Sequence, residues 1–178
     1  MNLQQIDPDC SKLRDDEKWK ILHEFGHTLG FLHEHQSPAR ITELTFDDYV
    51  YKYYDYKAEW PREVTESEVT NIINEEKISN YTDFDPKSII MYPIVASCNL
   101  ERIDIPKNVE LSDMDKALAM LHYPRFVPHE EASEWTIEHA LDVLGVHGNT
   151  RDRILQSRCP KEIYSLFTLW NKKRIQGL

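Results

Sequence analysis

The chain has 178 residues, a net charge of −10, 40% hydrophobic and 29% charged residues, which suits a folded globular protein of one domain, or a small domain with an appendage. The acidic balance, with no dense run of Lys or Arg, argues against nucleic acid or an anionic membrane as the main partner. No apolar run approaches the length of a membrane span.

The first fifteen residues, MNLQQIDPDCSKLRD, lack an apolar core, so the chain as given carries no secretory signal. The compartment stays open, since longer relatives could be secreted. A helix is expected from Asp15 or Asp16 to Leu29, with acidic residues in its first turn. Gly30 is placed to end it, because glycine adopts the left-handed conformation that a chain reversal needs. After the loop Gln36-Ser37-Pro38, Thr45 and Asp48 suggest a cap for a second, aromatic-rich helix over 46–58, which Trp60-Pro61 breaks. A third helix is expected over 62–74. Ser79 to Glu110 reads as irregular, punctuated by Pro86, Pro93 and Pro106. Ser112 with Asp115 caps a helix from Asp113 to Leu121, and Pro124 stops it. Phe126-Val127-Pro128-His129 reads as a linker. Short helices over 133–144, 150–157 and 161–174 then form a three-helix appendage. Its expected core is Trp135, Ile137, Leu141, Leu144, Ile154, Leu155, Ile163, Leu166, Phe167 and Trp170.

Cys10, Cys98 and Cys159 show neither a disulfide framework nor the short spacing of a structural zinc site, and read as ordinary buried or surface residues. Asn80-Tyr81-Thr82 fits a glycosylation acceptor, a triplet that also arises by chance.

Chemistry concentrates in HEFGHTLGFLH, residues 23–33. His23 and His27 stand four apart, so on a helix their imidazoles leave the same face one turn apart and can reach one ion. Glu24 is rotated about 100° from His23, beside the ion, where a carboxylate can take a proton from a zinc-bound water. His33 is too far along a straight helix, but a sharp turn at Gly30 can return it as third ligand. Three protein ligands and an open position are what a catalytic zinc needs. The alternative, a helix with incidental histidines, requires a match with a chance on the order of 10⁻⁵ to 10⁻⁴ in such a composition. His35, His122, His129, His139 and His147 show no ligand spacing among themselves, and solvated or capping roles are expected for them.

This stretch matches the zinc-binding motif of the metzincins, and Phe31 and Glu34 resemble the astacin branch. Asp85-Pro86-Lys87-Ser88-Ile89-Ile90-Met91-Tyr92-Pro93 resembles the Met-turn, and Leu111-Ser112-Asp113-Met114-Asp115 with Leu121-His122-Tyr123-Pro124 resembles the last catalytic-domain helix. HEHQSP and SIIMYP are most similar to fungal and bacterial astacin-like peptidases, and the resemblance covers residues 19–125. It implies the lower part of a zincin-like α+β catalytic domain over 1–125, mostly α as given, followed by the helical appendage over 126–178. It further implies a Zn²⁺ metalloendopeptidase acting on peptides or proteins, with His23, His27 and His33 as ligands and Glu24 as general base and acid. Tyr92 would be an additional ligand that can swing to stabilise the oxyanion. Glu34 resembles the glutamate that contacts the processed N-terminus.

Two departures qualify the resemblance. If Tyr92 takes the family position, Ile90 replaces the Met-turn methionine, at a packing cost of ~1 kcal/mol; a one-residue shift would instead place Met91 there and misplace Tyr92. Only twenty-two residues precede His23, too few and too polar for the sheet that covers the active-site helix in metzincins. The chain therefore reads as a catalytic domain lacking its N-terminal sheet, with a substrate-pairing edge lost and poor stability expected. A second reading is a zinc-binding but inactive relative with a binding or regulatory role. A third makes the appendage an interaction module.

Overall fold

The computed structural model describes residues 12–74, 78, 81–124 and 135–177. As expected, it is mostly helical, and the described residues form two compact units. One comprises the described residues up to Ile78 together with Asp83–Glu110. The other comprises Tyr81, Thr82 and the described residues from Leu111 onward.

The first unit opens with α1 (Asp15–Thr28). Asp15, Asp16 and Glu17 place negative charge at the positive end of the helix dipole, and Glu17 Oε2 accepts from the Arg14 backbone N–H at 2.9 Å. At the other end Gly30 has φ +88°, Gly30 N–H donates to His27 O (2.9 Å) and Phe31 N–H to Gly26 O (3.0 Å). This pair of bonds satisfies two carbonyls that the helix end would leave orphaned. Two 3₁₀ turns follow, Glu34–Gln36 and Pro38–Thr42.

α2 (Tyr49–Ala58) starts three residues later than expected. Phe46 pairs with Asn99 in an antiparallel bridge, and the Asp47 carboxylate, not Asp48, accepts from Tyr49 N–H at 2.9 Å. Thr45 N–H goes instead to Glu101 Oε2 (2.8 Å). The Trp60-Pro61 break holds, and Trp60 folds back to stack on Tyr54 at 5.3 Å. The third helix is shorter than 62–74. α3 (Arg62–Thr65) continues as a π turn, Glu66–Thr70, closed by Asn71 N–H on Glu66 O at 2.8 Å. Leu44, Val50, Val69, Met91, Ile94, Cys98 and Ile105 form the buried core. The irregular segment after residue 81 is held there by an Ile94–Ile105 antiparallel bridge and by the buried Asn99 amide, which bonds the Val95 and Ile103 backbones.

The second unit holds α4 (Asp113–His122), α5 (Ile137–Val143), α6 (Gly148–Gln156) and α7 (Pro160–Ile175). The expected capping box forms, Ser112 Oγ accepting from Asp115 N–H and Asp115 Oδ2 from Ser112 N–H. The core anticipated for three helices includes a fourth: Ala117 and Leu121 of α4 are buried with Leu141, Ile154, Ile163, Leu166 and Phe167. Helix α4 thus packs with the helices after it, although its motif resemblance groups it with the segment before. The expected linker 126–129, with His129, Cys10 and Asn80, lies outside the described residues. Cys98 is buried, Cys159 is exposed, and both are free thiols. No helix among the described residues is long and apolar enough to cross a membrane.

Candidate metal centre

The turn at Gly30 brings His33 back against α1. The Nε2 atoms of His23, His27 and His33 form a near-equilateral triangle, with edges of 3.1 Å (His23–His27), 3.1 Å (His27–His33) and 3.3 Å (His23–His33). Two of the three rings are pinned from behind by carbonyls. His23 Nδ1–H donates to Ile89 O at 3.0 Å and His27 Nδ1–H to Phe31 O at 2.8 Å. A carbonyl can only accept, so each Nδ1 carries the proton and each Nε2 turns a lone pair toward the common centre. Lone pairs facing one another at such distances repel, and a cation between them removes the conflict. Among the described residues this is the cluster able to hold a metal ion.

The electrostatics of the cluster favour the neutral forms of His33 and His23. Burial pushes His33 down to about 4, with His27 and His23 adding to the effect and Gln36, as an acceptor, opposing it. Burial also holds His23 below its ordinary value, against the Ile89 carbonyl. Folded His33 therefore binds its proton less tightly than the unfolded chain does, and acid favours unfolding. Stability of the metal-free protein is expected to be complete above His33's ordinary pKa of 6.5 and to fall as pH drops toward about 4, by up to about 1.4 kcal/mol per pH unit for each such group. Urea titrations between pH 7 and 4 measure this, and a flat midpoint would contradict it.

The segment from Asp85 to Pro93 forms the support. Ser88 N–H donates to Asp85 O and Met91 N–H to Ser88 O, while Asn108 Nδ2–H donates to the Pro86 and Ser88 carbonyls. Glu34 ties this loop to the histidine segment: its Oε1 accepts from Asp85 N–H at 2.9 Å and its N–H faces Ile90 O at 3.4 Å. Ile90, not Met91, lies against α1; its Cγ2 would stand 2.7 Å from a Cβ added at Gly26. Met91 is fully buried in the unit's core instead. Of the two candidates, Ile90 is thus the residue that packs beneath α1.

Gly26 was not read from the sequence as part of the site, although a glycine inside a helix is itself a signal of close approach. Gly26→Ala gains about 1 kcal/mol in helix propensity but collides with a β-branched methyl that has little room to move. Overpacking of this kind costs about 1–3 kcal/mol, and the upper half applies at 2.7 Å. A net loss of about 1 kcal/mol is expected, read as a lower thermal midpoint; an unchanged or raised midpoint would show that Ile90 yields freely.

Tyr92 stands beside the triad, its ring 4.4 Å from that of His33 and 5.8 Å from that of His23. Burial raises its phenol pKa, and the carboxylates of Glu68 and then Glu24 add to this. Glu24, half-buried on α1, also acts electrostatically on His23, so its charge is felt at both the triad and the tyrosine. Phe25 on α1 and Leu32 after it are 53% and 49% exposed.

The remaining histidines divide. His147 sits at the N-cap position of α6 with no side-chain cap bond, its Nδ1 facing Gly145 O at 2.7 Å, and His139, exposed, stands edge-on to Trp135. His122 is half-buried between Tyr164 and Phe167, and His35 is wholly buried, so for these two the solvated role is replaced by an interior one.

No protein-family profile matches the chain, and no curated protein matches it. Solved structures do. A structure of myroilysin is similar over 67% of this chain and 57% of that one, at 30% identity and a TM-score of 0.59. Myroilysin is a metallopeptidase. A crystal structure of myroilysin overlaps 66% of this chain and 51% of that one, at 29% identity and a TM-score of 0.38. The chain therefore spans a little over half the length of the myroilysin chain it matches.

Proposed function

We propose that the chain is a zinc-dependent metalloendopeptidase of the astacin type. The observation that carries this reading is the triad: three Nε2 atoms 3.1–3.3 Å apart, two of them aimed by carbonyls. Nitrogens bound tetrahedrally to zinc at 2.0–2.1 Å stand roughly 3.3 Å apart, so the ligands need move only by tenths of an ångström. Neutral imidazoles without a thiolate suit zinc, and the likeness to myroilysin points to peptides as the substrate class.

When bound, zinc acts as a Lewis acid and makes a coordinated water acidic near neutral pH. The residues of the chain do the rest. Glu24 takes the proton of the attacking water and delivers it to the departing amine nitrogen, so that one carboxylate serves as base and then acid. The Tyr92 phenol, kept protonated by burial and by Glu68 and Glu24, donates a hydrogen bond to the oxygen on which charge develops. His23 and His27 hold their orientation through the Ile89 and Phe31 carbonyls, an outer arrangement that tunes ligand basicity. The catalytic unit is proposed to end before the linker at 126, with the C-terminal helices as an appendage.

The direct test is cleavage of a generic unstructured protein substrate by zinc-loaded material, its loss with a chelator, and its return with added Zn²⁺. Zinc binding near one per chain without any cleavage would replace this reading with that of an inactive, zinc-binding relative.

A further inference from the structure

The segment after the third histidine is fastened to the π turn by side chains. His35 Nε2–H donates to Glu68 O at 2.8 Å, Gln36 Nε2–H to Ser67 O at 2.7 Å, and Arg40 Nη2–H to Thr70 O at 2.9 Å. The last carbonyls of a helix have no intrahelical donor, and here these three are taken up by residues 35–40.

His35 is the member of this set that touches the site. It is fully buried, and its ring stacks on Tyr92 (4.6 Å, 28°) and on His33 (5.1 Å, 26°), which are themselves 4.4 Å apart. Its other nitrogen, Nδ1, is buried without a hydrogen-bond partner. An unpaired buried polar atom costs about 1–3 kcal/mol, a cost that a phenylalanine of similar shape avoids. Packing alone therefore does not account for a histidine. What the imidazole adds is a donor at its far edge, and the Glu68 carbonyl fixes the ring plane through it.

We propose that His35 is a positioning residue: anchored on the Glu68 carbonyl of the π turn, it holds the rings of His33 and Tyr92 in the orientations that the metal centre uses. This rests on the reading of the triad as a zinc site. Gln36, next in the chain, ties the same segment to the π turn through the Ser67 carbonyl. The π turn, more than thirty residues beyond the triad in sequence, is then its outer support.

Zinc affinity of the whole chain, measured by competition with a chromophoric chelator, tests this in three proteins. His35→Phe keeps an aromatic ring and removes the donor. Val50→Ala, on α2 and outside the π turn, loosens the same core through packing alone. Outer partners of metal-binding histidines alter affinity about 10–100-fold, and that loss is expected for His35→Phe, with Val50→Ala within about twofold of the parent. Equal affinity in His35→Phe and the parent, or equal losses in both variants, would overturn the role. A second measurement needs no variant. Coupling is reciprocal, so zinc should slow solvent exchange of the His35 Nε2–H by a similar factor in ¹⁵N spectra; unchanged exchange would also overturn it. A parent protein that binds no zinc would instead overturn the metal reading itself.

Discussion

Glu24→Gln is expected to leave zinc bound near one per chain and to lower peptide cleavage ~10²–10⁴-fold. The substitution keeps the size of the side chain and removes only its capacity to accept and return a proton. Glu24 is no ligand in the triad geometry, where the three Nε2 atoms face one another and the carboxylate stands aside, acting electrostatically on His23 and Tyr92. Metal content and hydrolysis should therefore separate cleanly in this variant. Cleavage at the parent rate would show that some other group moves the proton, and lost zinc would place the carboxylate among the ligands.

The second large effect is expected for His33→Ala. Zinc held by four protein ligands is bound by ~10–16 kcal/mol, or about 3 kcal/mol per ligand. Removing one of three imidazoles should thus weaken zinc at least about a hundredfold. The measure is a chelator competition at fixed pH, because ligands must be neutral to bind. His33 is the informative choice: it reaches the centre only through the reversal at Gly30, whereas His23 and His27 would share a face on any helix. An unchanged affinity would mean that the ion sits between His23 and His27 with some other partner.

What the sequence disclosed, and what it did not, follows from how local each determinant is. The i, i+4 histidines, the glycine that ends α1 and the Ser112–Asp115 box are set by neighbours within a turn or two, and all were readable. The Ile89 and Phe31 carbonyls behind His23 and His27 were not, because any residue has a carbonyl and only the folded path aims it. His35 was assigned a solvated or capping place because its spacing matches no ligand pattern; its partner, the Glu68 carbonyl, is thirty-three positions away and exposed by a π turn that has no sequence signature. The choice between Ile90 and Met91 as the residue beneath the helix likewise depended on Gly26, whose missing side chain makes the close approach possible. Helix α4 was grouped with the segment before it by motif, yet its apolar face is buried with the helices after it, a long-range preference that capping signals do not encode.

X-ray absorption at the zinc edge of the loaded protein is the most direct measurement. Three imidazole nitrogens at ~2.0–2.1 Å, completed by oxygen donors, with zinc near one per chain, are the expected result. Fewer than three imidazoles, or a protein that takes up no stoichiometric zinc, would contradict the metal centre built from His23, His27 and His33.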